Sequence, residues 1–255
     1  MAWRVERDCL PRWREASRVS YRSMLQGRLP WHEAFRISSG EAPMGTLRSE
    51  ARREPDGGVL LIHEVSLDLA ALRDRLPFLS AVLSAGPEPD PGKAVEVRLK
   101  MMLTSEYRLQ GFSVDGKVGA LPVHGHGEVR PEGLACAFWS TDLSESRTLV
   151  LPLEDPSRPL PFGVSPLESV PDLPVGGTWD MQVVNPLTLA REVLKARVAA
   201  REGIVVGGRW TPSRRIEVEH PFGGTVSAWV DERGRVLRQT VLGLTFERIE
   251  GPGDD

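Results

Sequence analysis

The sequence predicts a mainly β protein whose strands pair in antiparallel fashion. Two alternating segments, 46–53 and 59–69, flank a Glu54-Pro-Asp-Gly-Gly58 turn, in which the Asp-Gly step favours a tight reversal of the chain. Further alternating segments follow at short intervals, and turns that contain glycine separate them. Sequential hairpins of this kind form an antiparallel meander.

The other predicted strands lie on either side of a proline-rich stretch. Those before it span 94–104, 107–114, 117–123, 128–130 and 134–139, and Asp115-Gly116 is predicted to form the turn between the second and the third. Those after it span 178–184, 192–202, 214–219, 225–230, 236–242 and 244–249, with turns at Val206-Gly-Gly208 and Asp231-Glu-Arg-Gly234.

Two segments have helical rather than strand-like spacing. In residues 12–26, apolar side chains that include Tyr21, Met24 and Leu25 share one face, and arginines fill most other positions. Leucines from Leu69 to Leu83 recur every three or four residues, although Pro77 removes a backbone donor and predicts a break in that helix. Both segments are predicted to be short amphipathic helices.

Proline content suggests how the chain is organised. Seven prolines between Pro152 and Pro174 cannot donate to a strand ladder, so this stretch is predicted to cross between elements and not to be a central strand. We therefore predict a helical segment at 1–30, a single β-rich domain at 31–250 and a disordered tail at 251–255. The domain would consist of two halves, 31–151 and 175–250, joined by the proline-rich segment 152–174.

Composition excludes some classes of function. With 255 residues, 26% charged residues and a net charge of -3, the chain gives no general reason to expect nucleic acid as a partner. Its paired glycines belong to no Walker loop or dinucleotide fingerprint, so no nucleotide cofactor is expected. No stretch approaches 18 consecutive apolar residues, which predicts that no transmembrane segment lies in this chain.

His124-Gly-His126 is the strongest candidate for a metal site. Residues i and i+2 of a strand project to the same face, so two imidazoles could bind one metal, with His63, His220 or Glu128 as a third ligand. The neighbouring glycines at 125 and 127 instead suggest a turn. We expect no metal, and keep a metal-dependent hydrolase as an alternative function.

The remaining reactive or aromatic side chains have structural explanations. Cys9 and Cys136 are predicted to be free thiols, and Cys136 lies in an apolar strand where nothing nearby would lower its pKa. The seven tryptophans, at positions 3, 13, 31, 139, 179, 210 and 229, could line a ligand groove or anchor the core. Their exposure would distinguish the two roles.

Several segments together resemble a known family. In the amino-terminal half they are Met44-Gly-Thr-Leu-Arg-Ser-Glu50, the Gly57-Gly58 hairpin and Glu64-Val-Ser-Leu-Asp-Leu69. In the carboxy-terminal half they are Val175-Gly-Gly-Thr-Trp179, Gly203-Ile-Val-Val-Gly-Gly208, Ala228-Trp-Val-Asp-Glu-Arg-Gly-Arg-Val-Leu-Arg-Gln239 and Gly243-Leu-Thr-Phe-Glu-Arg248. This pattern resembles bacterial envelope proteins of unknown function related to the lipoprotein-localisation fold, including modules ahead of transglutaminase-like domains. The resemblance implies a large curved antiparallel sheet or open half-barrel, with one or two short amphipathic helices packed on its concave face.

The resemblance also implies a function and a location. We expect a non-catalytic, extracytoplasmic or periplasmic module that holds an apolar ligand, a lipoprotein segment or a protein partner on the curved sheet. The expected ligand-binding residues are Leu72, Leu76, Leu79, Leu83, Trp139 and Trp229. The first residues lack the apolar core of a signal peptide, so a cytoplasmic protein-interaction domain remains the second alternative.

Overall fold

A computed structural model of the protein describes residues 20–68, 94–140, 143–151, 153, 155–157, 174–184, 191–219, 225–232, 234–241 and 243–249. In these ranges it contains one short helix, α1 (Tyr21–Leu25), and fourteen β-strands. None of the helical structure in these ranges is long and apolar enough to span a bilayer. The predicted mainly β, antiparallel class is confirmed.

The chain divides into two compact units, which are described separately. The first unit comprises Leu25–Ser157 with Ile249–Asp255, and the second comprises Met1–Met24 with Arg158–Arg248. The predicted assignment of both halves to one β-rich domain stays a prediction.

Helix α1 confirms the described part of the predicted helix at 12–26, and its apolar side chains Tyr21, Met24 and Leu25 are buried.

The first unit contains an eight-stranded antiparallel meander in which each strand pairs with its sequence neighbours. The strands are β1 (Trp31–Ser39), β2 (Ala42–Arg53), β3 (Val59–Asp68), β4 (Ala94–Leu103), β5 (Leu109–Val118), β6 (Leu121–Arg130), β7 (Gly133–Ser140) and β8 (Leu143–Leu151).

The second unit contains a six-stranded antiparallel meander. Its strands are β9 (Thr178–Val184), β10 (Arg191–Val206), β11 (Arg209–Glu219), β12 (Thr225–Val230), β13 (Val236–Val241) and β14 (Leu244–Ile249). The predicted turn at Gly207-Gly208 joins β10 to β11, and both of these strands extend further towards it than the alternation predicted. One register row, Ile216, Ala228, Gln239 and Phe246, runs across the buried face.

The turn predicted at Asp115-Gly116 is wrong. Both residues lie inside β5, and the chain reverses at Gly119-Ala120, where Gly119 has a φ of +64°. A side chain at position 116 would place its Cβ 2.4 Å from the carbonyl oxygen of Glu96, so glycine is needed there for close strand packing. The Asp-Gly pair therefore has a packing role instead of a turn role.

Sequence alternation also missed two strands and misplaced a third. Strands β1 and β8 were not predicted, because their polar residues interrupt the alternation. The glycines around His126 do not form a turn, since the whole segment Leu121–Arg130 is strand β6.

The broken helix predicted at 69–83 and the tail at 251–255 lie outside the described residues, as does most of the segment 152–174.

Candidate functional site

The first unit's sheet has an apolar inner face and a polar outer face, which follow from the alternation of side chains along its strands. One inner-face row consists of Ala51, Leu61, Met101, Phe112 and Cys136, all buried. An outer-face row consists of Arg48, Glu64, Arg98, Asp115, His124 and Trp139. Ion pairs join Arg98 to Glu64 at 3.1 Å and His124 to Asp115 at 3.2 Å along that row.

Burial of the inner face falls from one end of the strands to the other. At the end where β3 begins and β4 finishes, Val59, Leu61, Met101 and Leu103 are almost fully buried. Towards the opposite end, six valines of β3 to β6 are only partly buried, although Leu67 beside them is buried. We call this surface the valine end; it consists of Val65, Val95, Val97, Val114, Val118 and Val123. Gly116 lies among these valines and leaves their surface without a side chain at that point.

An open cavity of about 520 Å³ adjoins the valine end. It is lined by Arg36, Pro43, Met44, Gly45, Thr46, Ser66, Leu67, Asp68 and Ala94, at the ends of β1 to β4. Arg36, Thr46 and Ser66 form one outer-face row, so this polar part of the cavity lining and the valines lie on opposite faces of the sheet. This volume lies within the range of small-molecule sites.

An irregularity in β2 shapes the cavity. Ile37 pairs with Gly45 and Ser38 pairs with Pro43, so Met44 is an extra residue between two ladder positions, which is a β-bulge. Gly45 has a φ of +155°, and a Cβ there would lie 1.9 Å from the carbonyl oxygen of Ser66. Only glycine allows the backbones of β2 and β3 to approach this closely.

Arg36 supplies an uncompensated positive charge at the cavity. Its side chain is exposed, and it forms no ion pair with any described residue. Its cross-strand neighbour is the neutral Thr46. Asp68 lines the same cavity but does not pair with Arg36 and has an interaction of its own. A guanidinium without a carboxylate partner is suited to a carboxylate or phosphate ligand.

The two histidines predicted as metal ligands lie on the outer face of β6, on either side of Trp139. The His124 ring stacks on the indole at 5.7 Å between centroids, and the His126 ring meets its edge at 5.5 Å. Nδ1 of His124 lies 3.2 Å from a carboxylate oxygen of Asp115. The two imidazoles thus share a face, as predicted, and each contacts the same indole ring.

The structure does not assemble a third ligand beside these histidines. His63 lies on the inner face, where its Nδ1 is 2.8 Å from the Ser49 hydroxyl, and Glu128 accepts hydrogen bonds from Arg130. His220 lies outside the described residues. In the part of the chain that the structure describes, no three His, Cys, Asp or Glu side chains converge on a metal position.

Cys136 is a buried thiol on the inner face of β7, and its Sγ donates to the carbonyl oxygen of Leu134 at 3.6 Å. Desolvation by burial raises its pKa to about 11. Because the thiolate is the nucleophilic form, this environment opposes covalent chemistry. Cys9 lies outside the described residues.

The predicted ligand-binding residues are not brought together at the valine end. Trp139 is on the outer face of β7, away from the valines, and Trp229 is on β12, where its indole N–H donates to Glu202 at 2.6 Å. Leu72, Leu76, Leu79 and Leu83 lie outside the described residues, in the connection from Asp68 to Ala94. Their role in binding stays a prediction.

Arg36 and the bulge at Met44 were missed as site residues. The only sequence signal was the Met44-Gly45 step in the segment that resembles envelope proteins. Nothing in the sequence indicated that Arg36 would lack an acidic neighbour, since its partners depend on the register of β1 against β2.

Comparisons with known proteins give a distant structural similarity and no sequence match. The sequence matches no protein-family model, and no curated protein is significantly similar to it. Among solved structures, it is similar to a β-barrel-like protein of a domain of unknown function (DUF1849) from Brucella abortus. The identity is 7% and the TM-score 0.47, over 87% of this chain and 96% of that chain. This similarity does not extend to the predicted relation with the lipoprotein-localisation fold.

Proposed function

We propose that the protein is a non-catalytic binding module of the cell envelope that holds an apolar ligand on the valine end. The observation that carries the proposal is the incomplete burial of the inner face at the valine end. Its valines leave apolar surface in contact with water beside an open cavity.

The energetics favour an apolar ligand at this position. Each Å² of apolar surface removed from water contributes roughly 25 cal/mol, so covering a few of these partly exposed valines contributes about 1–3 kcal/mol.

Binding of a C16 fatty acid and of the matching C16 alcohol to the purified protein tests this proposal. We expect saturable binding of both with similar affinity, because the valine end offers a ligand apolar contacts and no charged group. Arg36→Ala is the matched control and should leave both affinities unchanged, because Arg36 lies on the opposite face of the sheet.

A second pair of variants tests the apolar surface. Val97→Asp and Val123→Asp place a charge on the valine end and should weaken binding of both ligands at least tenfold, because the carboxylate would have to be desolvated. If wild-type protein binds neither ligand, an aliphatic ligand is ruled out and a protein segment becomes the occupant of this surface. Unchanged binding in the Asp variants would show that the ligand lies elsewhere.

The envelope location rests on the resemblance found in the sequence and is tested separately. Native cells that produce the protein should yield it in the periplasmic or membrane fraction rather than in the soluble cytoplasm. Recovery with cytoplasmic markers would instead support the interaction-domain alternative, without affecting the binding experiment.

A further inference from the structure

The end of the β10–β11 hairpin exposes an aromatic side chain that no described residue of the second unit covers. Trp210 is 68% exposed and Val205, its cross-strand partner, is 53% exposed. The indole lies over Gly203, where a Cβ would come within 2.1 Å of the ring. Gly203 in turn pairs with the exposed Pro212. We call these four residues, together with Arg201, the hairpin tip.

The hairpin tip is exposed because the hairpin extends past its neighbouring strand. The pairing of β11 with β12 ends at Arg214, so Trp210 and Pro212 lie beyond it. Both are on the same face of β11 as the buried Ile216, and the bulge at Ala199 places Gly203 and Val205 on that face too. The apolar surface of the tip is therefore positioned by paired strands and is not a frayed end.

The charge on the tip is positive. Arg201 is on the same face as Gly203 and Val205, is exposed, and has no ion-pair partner among the described residues. The adjacent carboxylate of Glu202 projects to the opposite face, where it accepts the Trp229 indole N–H at 2.6 Å and pairs with Arg215 at 3.5 Å. No carboxylate occupies the tip face from 201 to 205 or from 210 to 212.

We propose that the hairpin tip docks on an anionic lipid surface, with Trp210 in the interfacial layer and Arg201 against lipid phosphates. Tryptophan combines a large apolar ring with one N–H donor and is favoured at membrane interfaces. Juxtamembrane arginines are attracted by the negative surface potential of anionic lipids. This inference does not depend on the valine end or its ligand.

The small size of the tip favours a lipid surface over a protein partner. A stable protein interface takes about 800 Å² and 20–30 residues from each side. The tip presents five residues next to the Gly207-Gly208 turn. One interfacial aromatic residue with a nearby cation, in contrast, is enough to contribute to reversible membrane binding.

Co-sedimentation with vesicles of phosphatidylglycerol or of phosphatidylcholine tests the proposal with the full chain. We expect binding to phosphatidylglycerol that weakens as salt is added, and little binding to phosphatidylcholine. Trp210→Ala should reduce the partition coefficient about tenfold and Arg201→Ala about fivefold. Trp139→Ala is the matched control, because Trp139 is also exposed but lies on another strand, between two histidines.

Quenching by brominated phosphatidylglycerol gives a second readout. The loss of tryptophan fluorescence on vesicle binding should be smaller in Trp210→Phe than in wild type, even where the phenylalanine retains some binding. Equal sedimentation of wild type and Trp210→Ala would overturn the proposal. Failure of the wild-type protein to bind either kind of vesicle would also overturn the proposal. Cross-linking at position 210 would then be used to find a protein partner.

Discussion

Individual residues on β6 show how small side chains let large ones pack. The rings of Phe138 and Phe112 lie over Gly125 and Gly127, where a Cβ would come within 2.5 Å and 2.1 Å of a ring carbon. The glycines therefore occupy the inner face, and His124 and His126 necessarily occupy the outer face. The His-Gly-His pattern thus reflects aromatic packing on the inner face.

Cys136 gives a residue-scale prediction about chemical reactivity. In a Cys9→Ser variant, which leaves Cys136 as the single thiol, a disulfide reagent at about pH 8 should react on the order of 100-fold more slowly with the native than with the unfolded protein. The reason is that burial raises the pKa from 9.0 to about 11 and so reduces the thiolate population. Rapid native reaction would contradict the burial of this side chain.

The same thiol makes a contribution to stability that depends on pH. Because the folded-state pKa is raised, its contribution is fully present below about pH 9 and is lost as the pH rises through about 11. Denaturant unfolding of wild type and Cys136→Ala across that interval measures the effect. The difference in unfolding free energy between the two proteins should shrink as the pH increases.

At the scale of elements, β-bulges and close strand contacts decide where the two surfaces of interest lie. The bulge at Met44 inserts an extra residue into β2 at the cavity, and the β10–β11 hairpin extends past the point, Arg214, where the pairing of β11 with β12 ends. Exposed ion pairs between strands, such as Arg98 with Glu64, contribute little by comparison, about 0–1 kcal/mol each.

The position of the β5–β6 turn gives an element-scale prediction. Gly116→Ala should destabilise the protein by about 2–3 kcal/mol, since its Cβ would lie 2.4 Å from a backbone oxygen of Glu96. Gly119→Ala should cost only about 1 kcal/mol, the usual penalty for a positive φ in a tight turn. Denaturant unfolding of both variants ranks them, and the reverse order would place the turn at Asp115-Gly116.

For the whole molecule, the distribution of charge matters more than its total. The net charge is -3 and the isoelectric point is about 6.0, so at neutral pH the chain as a whole is repelled by an anionic surface. Binding of such a surface at that pH requires a local positive group, and Arg201 provides one at the hairpin tip.

This distribution predicts how vesicle binding depends on pH. At about pH 7.5 only proteins with an intact hairpin tip should sediment with phosphatidylglycerol vesicles. At about pH 5, below the isoelectric point, the net charge becomes positive, and Trp210→Ala should regain part of its binding through general attraction. A Trp210→Ala protein that responds to pH just as wild type does would indicate that the tip has no specific role.

The sequence by itself determined the antiparallel β class and several elements. The Glu54-Gly58 hairpin, the Gly207-Gly208 turn and strands β12 and β14 lie where alternation and turn chemistry predicted them. These features depend on residues close together in the chain, so a local pattern is sufficient.

Only the tertiary structure decided which residues meet across strands. It separated His63 from His124 and His126, placed Asp115-Gly116 inside a strand, left Arg36 without an acidic neighbour, and exposed Trp210. Each outcome depends on the register between strands, and a shift of one residue would reverse the face of every side chain. Register is fixed by packing between distant parts of the chain, such as Phe112 over Gly127, and not by the pattern of any one strand.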